Sequence, residues 1–477
     1  MATLIEQKPL YTQLPVGQEV IFVVSNNTIV ATQTNVRFIA DVYISDTIPS
    51  SVTTTSIPTA TFKTTPNNAG VGIFDFKQVV ENYVSADNMA ANFSEYKGVT
   101  TTDDTPHPLH LIDKYSKNKK AARWLTIQFK TQYLDQDPTS STFGQIITPE
   151  TLFTVSVDYQ MFNGYLKYSD ILTMGTGATA NNFGYDLSNF NLSSQTDSFL
   201  TNAPATQYAN LEDYGTIAFL APDDNLEYIK LTYYDSSGSP LGNESINRTV
   251  TNGAYTNFST EISSRLLYFG CFPANLQNWS STFQALVTAG TIQGGSIVVQ
   301  ASTNNASLPN YPRIAKAYTI NINCPDTKGF ESIRLCWLNQ WGVWDYYTFT
   351  QKSVRSVSTK GSTYEQLAGT WNEAAYRVDS YKGGKKAFRV NATEKIKMNT
   401  DFVSESENEM FEELINSPEV YILEGYQPDA ATSALNQYVK PVRLTTSSFT
   451  RKTVANDKLI QYTFEVEKSK TLRTQSV

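Results

Sequence analysis

At 477 residues the chain is too long for a single hydrophobic core, and about three domains are expected. Hydrophobic residues reach 40%, enough for globular cores, but charged residues fall to 17%, below the roughly 25% of ordinary soluble domains, so Ser, Thr, Asn and Gln supply the solvated faces. The net charge of −8 argues against a broad nucleic-acid surface, which needs clustered Lys and Arg, and two histidines leave little for general acid–base chemistry.

Cys271, Cys324 and Cys336 are too widely spaced for a zinc pattern, and apolar neighbours mark them as small buried hydrophobes. So low a count fits synthesis in a reducing cytoplasm. The stretch "MATLIEQKPLYTQLP" has no signal-peptide pattern, and no apolar run approaches membrane-spanning length.

The first segment, residues 1–165, is expected to be a β domain. "VIFVVS" (Val20 to Ser25) reads as a strand buried on both faces. In "NVRFIADVYIS" the residues Val36, Phe38, Ala40, Val42 and Ile44 share one face by alternation, which predicts a half-buried strand. Phe76, Val79, Val80 and Tyr83 then fall on one helical stripe, with Asp75 placed to cap it. Two basic runs, Lys114 to Lys130 and Lys382 to Arg389, read as solvated loops and strand ends, with an acidic neighbouring subunit as the alternative contact.

An Asn/Ser/Thr/Gly-rich passage, Thr173 to Thr206, follows a boundary near 165 and opens a middle β-sandwich, residues 166–323. There Ile229, Leu231 and Tyr233 alternate with Lys230, Thr232 and Tyr234, and Asp-Ser-Ser-Gly supplies a hairpin turn. The third segment, 324–477, is a β domain with one capped helix. It begins with "RLCWLNQWGVWDYYTF", in which Ile333, Leu335 and Trp337 form one face, Gly342 turns the chain, and Trp337 and Trp344 are expected to pack across the strands. Trp341 lies at the tip and, with Trp344, is the candidate partner contact. Ser404 and Glu407 form a capping box before the apolar stripe Met410, Phe411, Leu414, Ile415, and Pro418 stops that helix. In the last strand Ile460, Tyr462, Phe464 and Val466 point inward.

The fold class expected is therefore mainly β: several antiparallel β-sandwich or barrel-like domains with a few short helices. No catalytic, metal or cofactor-binding residues are assigned. His107 and His110, near Asp103 and Asp104, are separated by prolines that break helical register, and read as surface imidazoles rather than ligands. The acid pairs Asp135/Asp137 and Asp223/Asp224 lack a calcium loop's glycine and distal glutamate and read as turn formers. A polysaccharide depolymerase would need two carboxylates in a cleft, and a single sequence selects no pair.

Several stretches together carry a resemblance: "LPVGQEVIFVVSNNTIV", "TTPNNAGVGIFDF", "FNGYLKYSD", "LLYFGCFPANL", the tryptophan-rich hairpin, and "NTDFVSESENEMFEELINSPEVYIL". In these the chain resembles virion structural proteins of tailed bacteriophages, such as phages of marine and Bacteroidetes-like hosts. The resemblance implies a non-enzymatic building block of the tail, baseplate or adhesion apparatus, made in the host cytoplasm and localised to the virion. Its implied partners are other copies of itself and other virion proteins, with no cofactor, nucleic acid or membrane span. The alternative is a receptor- or glycan-binding module at the tail tip, which would leave an aromatic-lined groove open to solvent, whereas a building block would bury Trp341 against other subunits.

Overall fold

The computed structural model describes residues 2–47, 56–86, 109, 114–117, 120–172, 182–220, 228–247, 265–304, 311–323, 329–370, 373–424, 439–453, 459–470 and 472. His107, His110, Asp103, Asp104, Asp223, Asp224 and Cys324 lie outside the described residues. The chain is mainly β, with several antiparallel sheets and few short helices, as expected.

In the first segment the strands Thr34–Ser45 and Ala122–Leu134 form a long antiparallel pair at the centre of a seven-stranded sheet. A second sheet, built from Leu4–Gln7, Ile21–Ser25 and Val71–Asp75, shares its core. Phe22 is central to that core, its ring centroid 5.4 Å from Phe129 and 5.7 Å from both Phe76 and Tyr159. Phe38, Ala40 and Val42 face inward as the alternation requires, but Ile39, Asp41 and Tyr43 on the other face are buried too, so the strand is not half-solvated. Asp41 tolerates this because Lys130 pairs with it and Thr61 donates to it at 2.6 Å. The 114–130 basic run is thus strand rather than loop over most of its length. The short 77–80 helix buries Phe76 and Val80, and Asp75 Oδ1 accepts the Lys77 N–H at 3.0 Å.

The middle segment holds a five-stranded sheet centred on Ser296–Ser302 and a three-stranded sheet of Thr216–Leu220, Leu266–Gly270 and Tyr115–Lys117. The last of these strands comes from the first segment. The core here also takes Trp124 from that segment and Cys336, Trp341, Trp344 and Tyr346 from the third. Residues 166–323 therefore do not close their own core.

The third segment is a seven-stranded sheet whose inner face packs on the helix Asn408–Asn416 through Met410, Phe411 and Leu414. Both capping-box bonds form: Glu407 accepts from Ser404 N at 2.6 Å, and the Ser404 side chain accepts from the Glu407 backbone N–H. Ile460, Tyr462, Phe464 and Val466 are buried as expected. The far edge of the sheet is an arm made of Val354–Gln366 and Gly384–Asn399, paired from Val354↔Lys397 to Gln366↔Gly384 with a one-residue bulge at Phe388, between Ser362↔Arg389 and Thr363↔Ala387. Its outer strand pairs with nothing else among the described residues and runs about 43 Å at ~3.3 Å per residue.

Candidate functional site

The tryptophan-rich hairpin separates two cores. Its strands are Ile333–Leu338 and Trp344–Phe349, in register Trp337↔Asp345 and Leu338↔Trp344. Ile333, Leu335, Trp337 and Phe349 enter the C-terminal core, while Cys336, Leu338, Trp344 and Tyr346 enter the middle one. Burying each such large side chain is worth about 1.5–3 kcal/mol, so the hairpin ties the two cores together. Trp337 and Trp344 consequently point to opposite faces and do not pack across the strands; the one-residue offset in register decides this. Trp344 instead meets Tyr421 edge-on at 5.7 Å.

Trp341 also departs from its expected place. It sits at the hairpin tip, but the tip is covered by residues 163–165 and Phe190 of the same chain, and the indole is 2% exposed with Phe190 at 5.0 Å. Trp344 is 4% exposed. Both rings are enclosed intramolecularly, so neither presents a surface to a partner, and the assignment of these two as contact residues is corrected on that ground. Only Gly fits at 342: φ is 73°, and a Cβ there would stand 1.5 Å from the Asn163 carbonyl oxygen. The loop clamps on the turn further through the Tyr165 N–H, which donates to Gln340 O at 2.6 Å.

Asn339 organises the turn from inside. Its Oδ1 accepts from Trp341 N at 3.0 Å and Val343 N at 3.3 Å, and its Nδ2 donates to Leu200 O and to Asp345 Oδ2, each at 3.0 Å. Asp345 is thereby fully engaged, since Thr201 Oγ1 donates to its Oδ1 at 2.6 Å. Close by lies Glu413, on the 408–416 helix and 7% exposed. Asn202 Nδ2 donates to its Oε1 at 2.7 Å, and the Gln340 backbone N–H also stands against the carboxyl. Burial, reinforced by the Asp345 charge, pushes the Glu413 carboxyl up to about 8, and burial raises Asp345 to about 6. The two titrations are coupled, and the Glu413 carboxyl, the more strongly raised, is the one that burial holds furthest above its usual range.

Glu413 also lines a cleft of about 620 Å³ between this turn, the 163–167 loop and the end of the helix. Gln340, Asn163, Asn416 and Tyr165 line it as well. Asp345 does not, so the cleft exposes one carboxyl of the pair. Glu81 and Glu412 line the same cleft, Glu412 accepting from Arg451 Nε at 2.9 Å. Sequence reasoning missed the pair because residues 345 and 413 are 68 positions apart, and no local pattern marks a buried acid.

A second buried ionic group sits beneath a cleft of about 410 Å³. Arg334, 3% exposed, lies between Phe272 and Tyr346 with its guanidinium carbon 4.5 and 5.1 Å from the ring centroids. Its Nε donates to Tyr214 O at 2.9 Å and its NH1 to Thr348 Oγ1 at 2.8 Å, and Thr348 donates to Asp213 at 2.7 Å. This network joins the middle and third segments and reads as structural cement. Asp135 and Asp137 are turn formers as expected, accepting from Thr142 Oγ1 at 2.6 Å and Thr139 N at 2.9 Å. Cys271 and Cys336 are fully buried. Among the described residues, no group of three or more His, Cys, Asp or Glu could hold a metal ion.

No family model and no curated protein matches the chain. Among solved structures it is similar to the native conformation of E. coli alpha-2-macroglobulin, at 8% identity and a TM-score of 0.18, over 100% of this chain and 31% of that one. The chain thus spans under a third of that protein's length, and a likeness at this score carries no argument.

Proposed function

We propose that the protein is a non-enzymatic structural subunit of a phage virion, of the tail, baseplate or adhesion apparatus, acting through contacts with its own copies and other virion proteins. The observation that carries this reading is the 354–399 arm. A two-stranded ribbon is marginal in water, and this one leaves Leu367, Tyr376, Val378 and Tyr381 60–73% exposed. Those four lie at the far end, between the two strands, and the long edge Val354–Gln366 is unpaired among the described residues, leaving backbone groups for strand addition.

Charge adds direction. Residues 352–399 carry ten Lys or Arg and four Asp or Glu, a net of +6, which leaves −14 on the rest of a chain totalling −8. Lys360, Lys385 and Arg389 have no acidic partner among the described residues. A basic arm on an acidic body favours contact between neighbours over self-docking of like surfaces. Heterologous contacts of this kind close into rings when the rotation permits.

Removing Lys360–Asn391 and joining Thr359 to Ala392 through Asn-Gly tests the reading, because the root of the arm keeps its pairing with Thr463–Lys468. Light scattering and negative-stain imaging should find closed oligomers of the intact chain and monomers of the shortened one, at unchanged circular dichroism. An intact chain that stays monomeric alone and with co-expressed virion proteins refutes it.

A further inference from the structure

We propose that one face of the 354–399 arm, the cationic one, docks on a second copy of this chain, at a patch of tyrosines and carboxylates formed by Tyr165, Tyr168, Glu19, Glu81 and Asp170. This contact rests on the assembly reading and gives the two surfaces that meet in it.

Strand register sorts the charges of the arm. Lys360, Ser362 and Tyr364 share a face with their partners Asn391, Arg389 and Lys386, and Lys395 joins them through its pairing with Ser356. Both carboxylates of the ribbon fall on the other face, where Glu365 pairs with Lys385 and Glu394 with Val357. One face therefore carries cations alone, and an acid answers only at its root, where Glu465 meets Lys395 at 3.3 Å. At the bulge the Phe388 ring meets Tyr364 edge-on at 6.5 Å, so aromatic surface stands among the cations.

The patch has the complementary chemistry. Tyr165 and Tyr168 are 64% and 86% exposed. Tyr165 is seated on Gly17, where a Cβ would fall 2.1 Å from its Cδ2, and Glu81 lines the cleft beside it. Burial, and then the charges of Glu19 and Asp170, push the Tyr185 hydroxyl up to about 12, with Tyr165 and Tyr168 acting on it too, so these four side chains surround one centre. Lys167 is held by Glu409 at 2.6 Å and Arg451 by Glu412, which leaves Glu19, Glu81 and Asp170 against Lys77, whose ammonium lies over the Tyr165 ring at 5.7 Å.

Charge selects the occupant. Within one copy, among the described residues, Lys360 and Arg389 reach no carboxylate and Glu19 and Glu81 reach no cation. The +6 of the arm and the −14 of the body then draw unlike surfaces together when two copies approach. Tyrosine and arginine, present on the two sides, are residues that protein interfaces favour. Because the surfaces lie on different parts of the chain, the contact is heterologous and repeats from copy to copy.

Charge reversal read by light scattering on the full chain tests this. Lys360→Glu with Arg389→Glu reverses the arm, and Glu19→Lys with Glu81→Lys reverses the patch; all four positions are exposed. Each variant alone should need about a hundredfold more protein than the wild type to assemble, the loss expected for two charge pairs. An equimolar mixture should regain the wild-type mass, because each reversed surface meets an unlike one on the other variant. Circular dichroism establishes that both fold. A patch variant that assembles like the wild type, or a mixture that stays monomeric, overturns the proposal and leaves the assembly reading standing on the shortened-arm result. A wild type that is monomeric by itself also overturns it, whereas the assembly reading falls only if co-expressed virion proteins leave the chain monomeric too.

Discussion

Replacing Glu413 by Gln should make the protein more stable in base and flatten its dependence on pH. A free glutamate ionises near 4.5, whereas Glu413 in the fold holds its proton up to about 8. Below pH 4.5 the carboxyl is protonated in both folded and unfolded chains, and burial costs the least. Between the two values the unfolded chain ionises and the folded one does not, so stability falls with rising pH, by up to about 1.4 kcal/mol per unit. Above 8 the loss is complete. Three and a half units set a ceiling of about 5 kcal/mol, and coupling to Asp345 spreads part of it, so about 3–5 kcal/mol is expected. Glutamine keeps the acceptor for Asn202 and titrates nowhere. Asp345, raised to about 6, still contributes its own slope in the variant. Calorimetric Tm values of both proteins from pH 5 to 9 are the assay, read as differences because a multi-core chain need not unfold in one step. The variant should gain on the wild type as pH rises and exceed it by pH 8.5. Parallel curves, or a variant less stable at pH 8.5, would refute the reasoning about a buried, protonated glutamate.

Two further substitutions test how the segments are joined. Gly342→Ala must either adopt φ 73° with a Cβ or push Asn163 away from a 1.5 Å approach, so a loss of more than about 3 kcal/mol is expected, measured as a lowered urea midpoint with exposure of Trp341 fluorescence; a loss under ~1 kcal/mol would show the turn to be adaptable. Arg334→Lys keeps the charge but not the planar fork between Phe272 and Tyr346, and should cost about as much as Arg334→Met, on the order of 3 kcal/mol, because the simultaneous bonds of the fork to Tyr214 O and Thr348 Oγ1 are lost in both. Recovery of the wild-type midpoint by lysine would mean that charge alone holds the network.

Much of the local structure was legible from period and punctuation. The Ser404/Glu407 box, the Met410–Leu414 stripe and the alternation of Ile460 to Val466 each depend on contacts within a few residues, and each is found in place. The errors have one source. Trp337 and Trp344 were expected to pair, Trp341 to stand free, and Thr34–Ser45 to be half-solvated, because alternation reports which side chains share a face and not what lies over the second face. Here both faces are covered, by segments brought from elsewhere in the chain.

The sequence by itself determined the class of the fold, the ends of its best helix, the turn glycine at 342 and the buried state of two cysteines, all properties set by backbone sterics and by nearest neighbours. Only the tertiary structure decided that the hairpin divides two cores, that burial and the Asp345 charge raise the Glu413 carboxyl, and that Val354–Gln366 and Gly384–Asn399 stand out as an arm. Those depend on desolvation and on long-range register, which are set by residues tens or hundreds of positions away and leave no mark on any short stretch of chain.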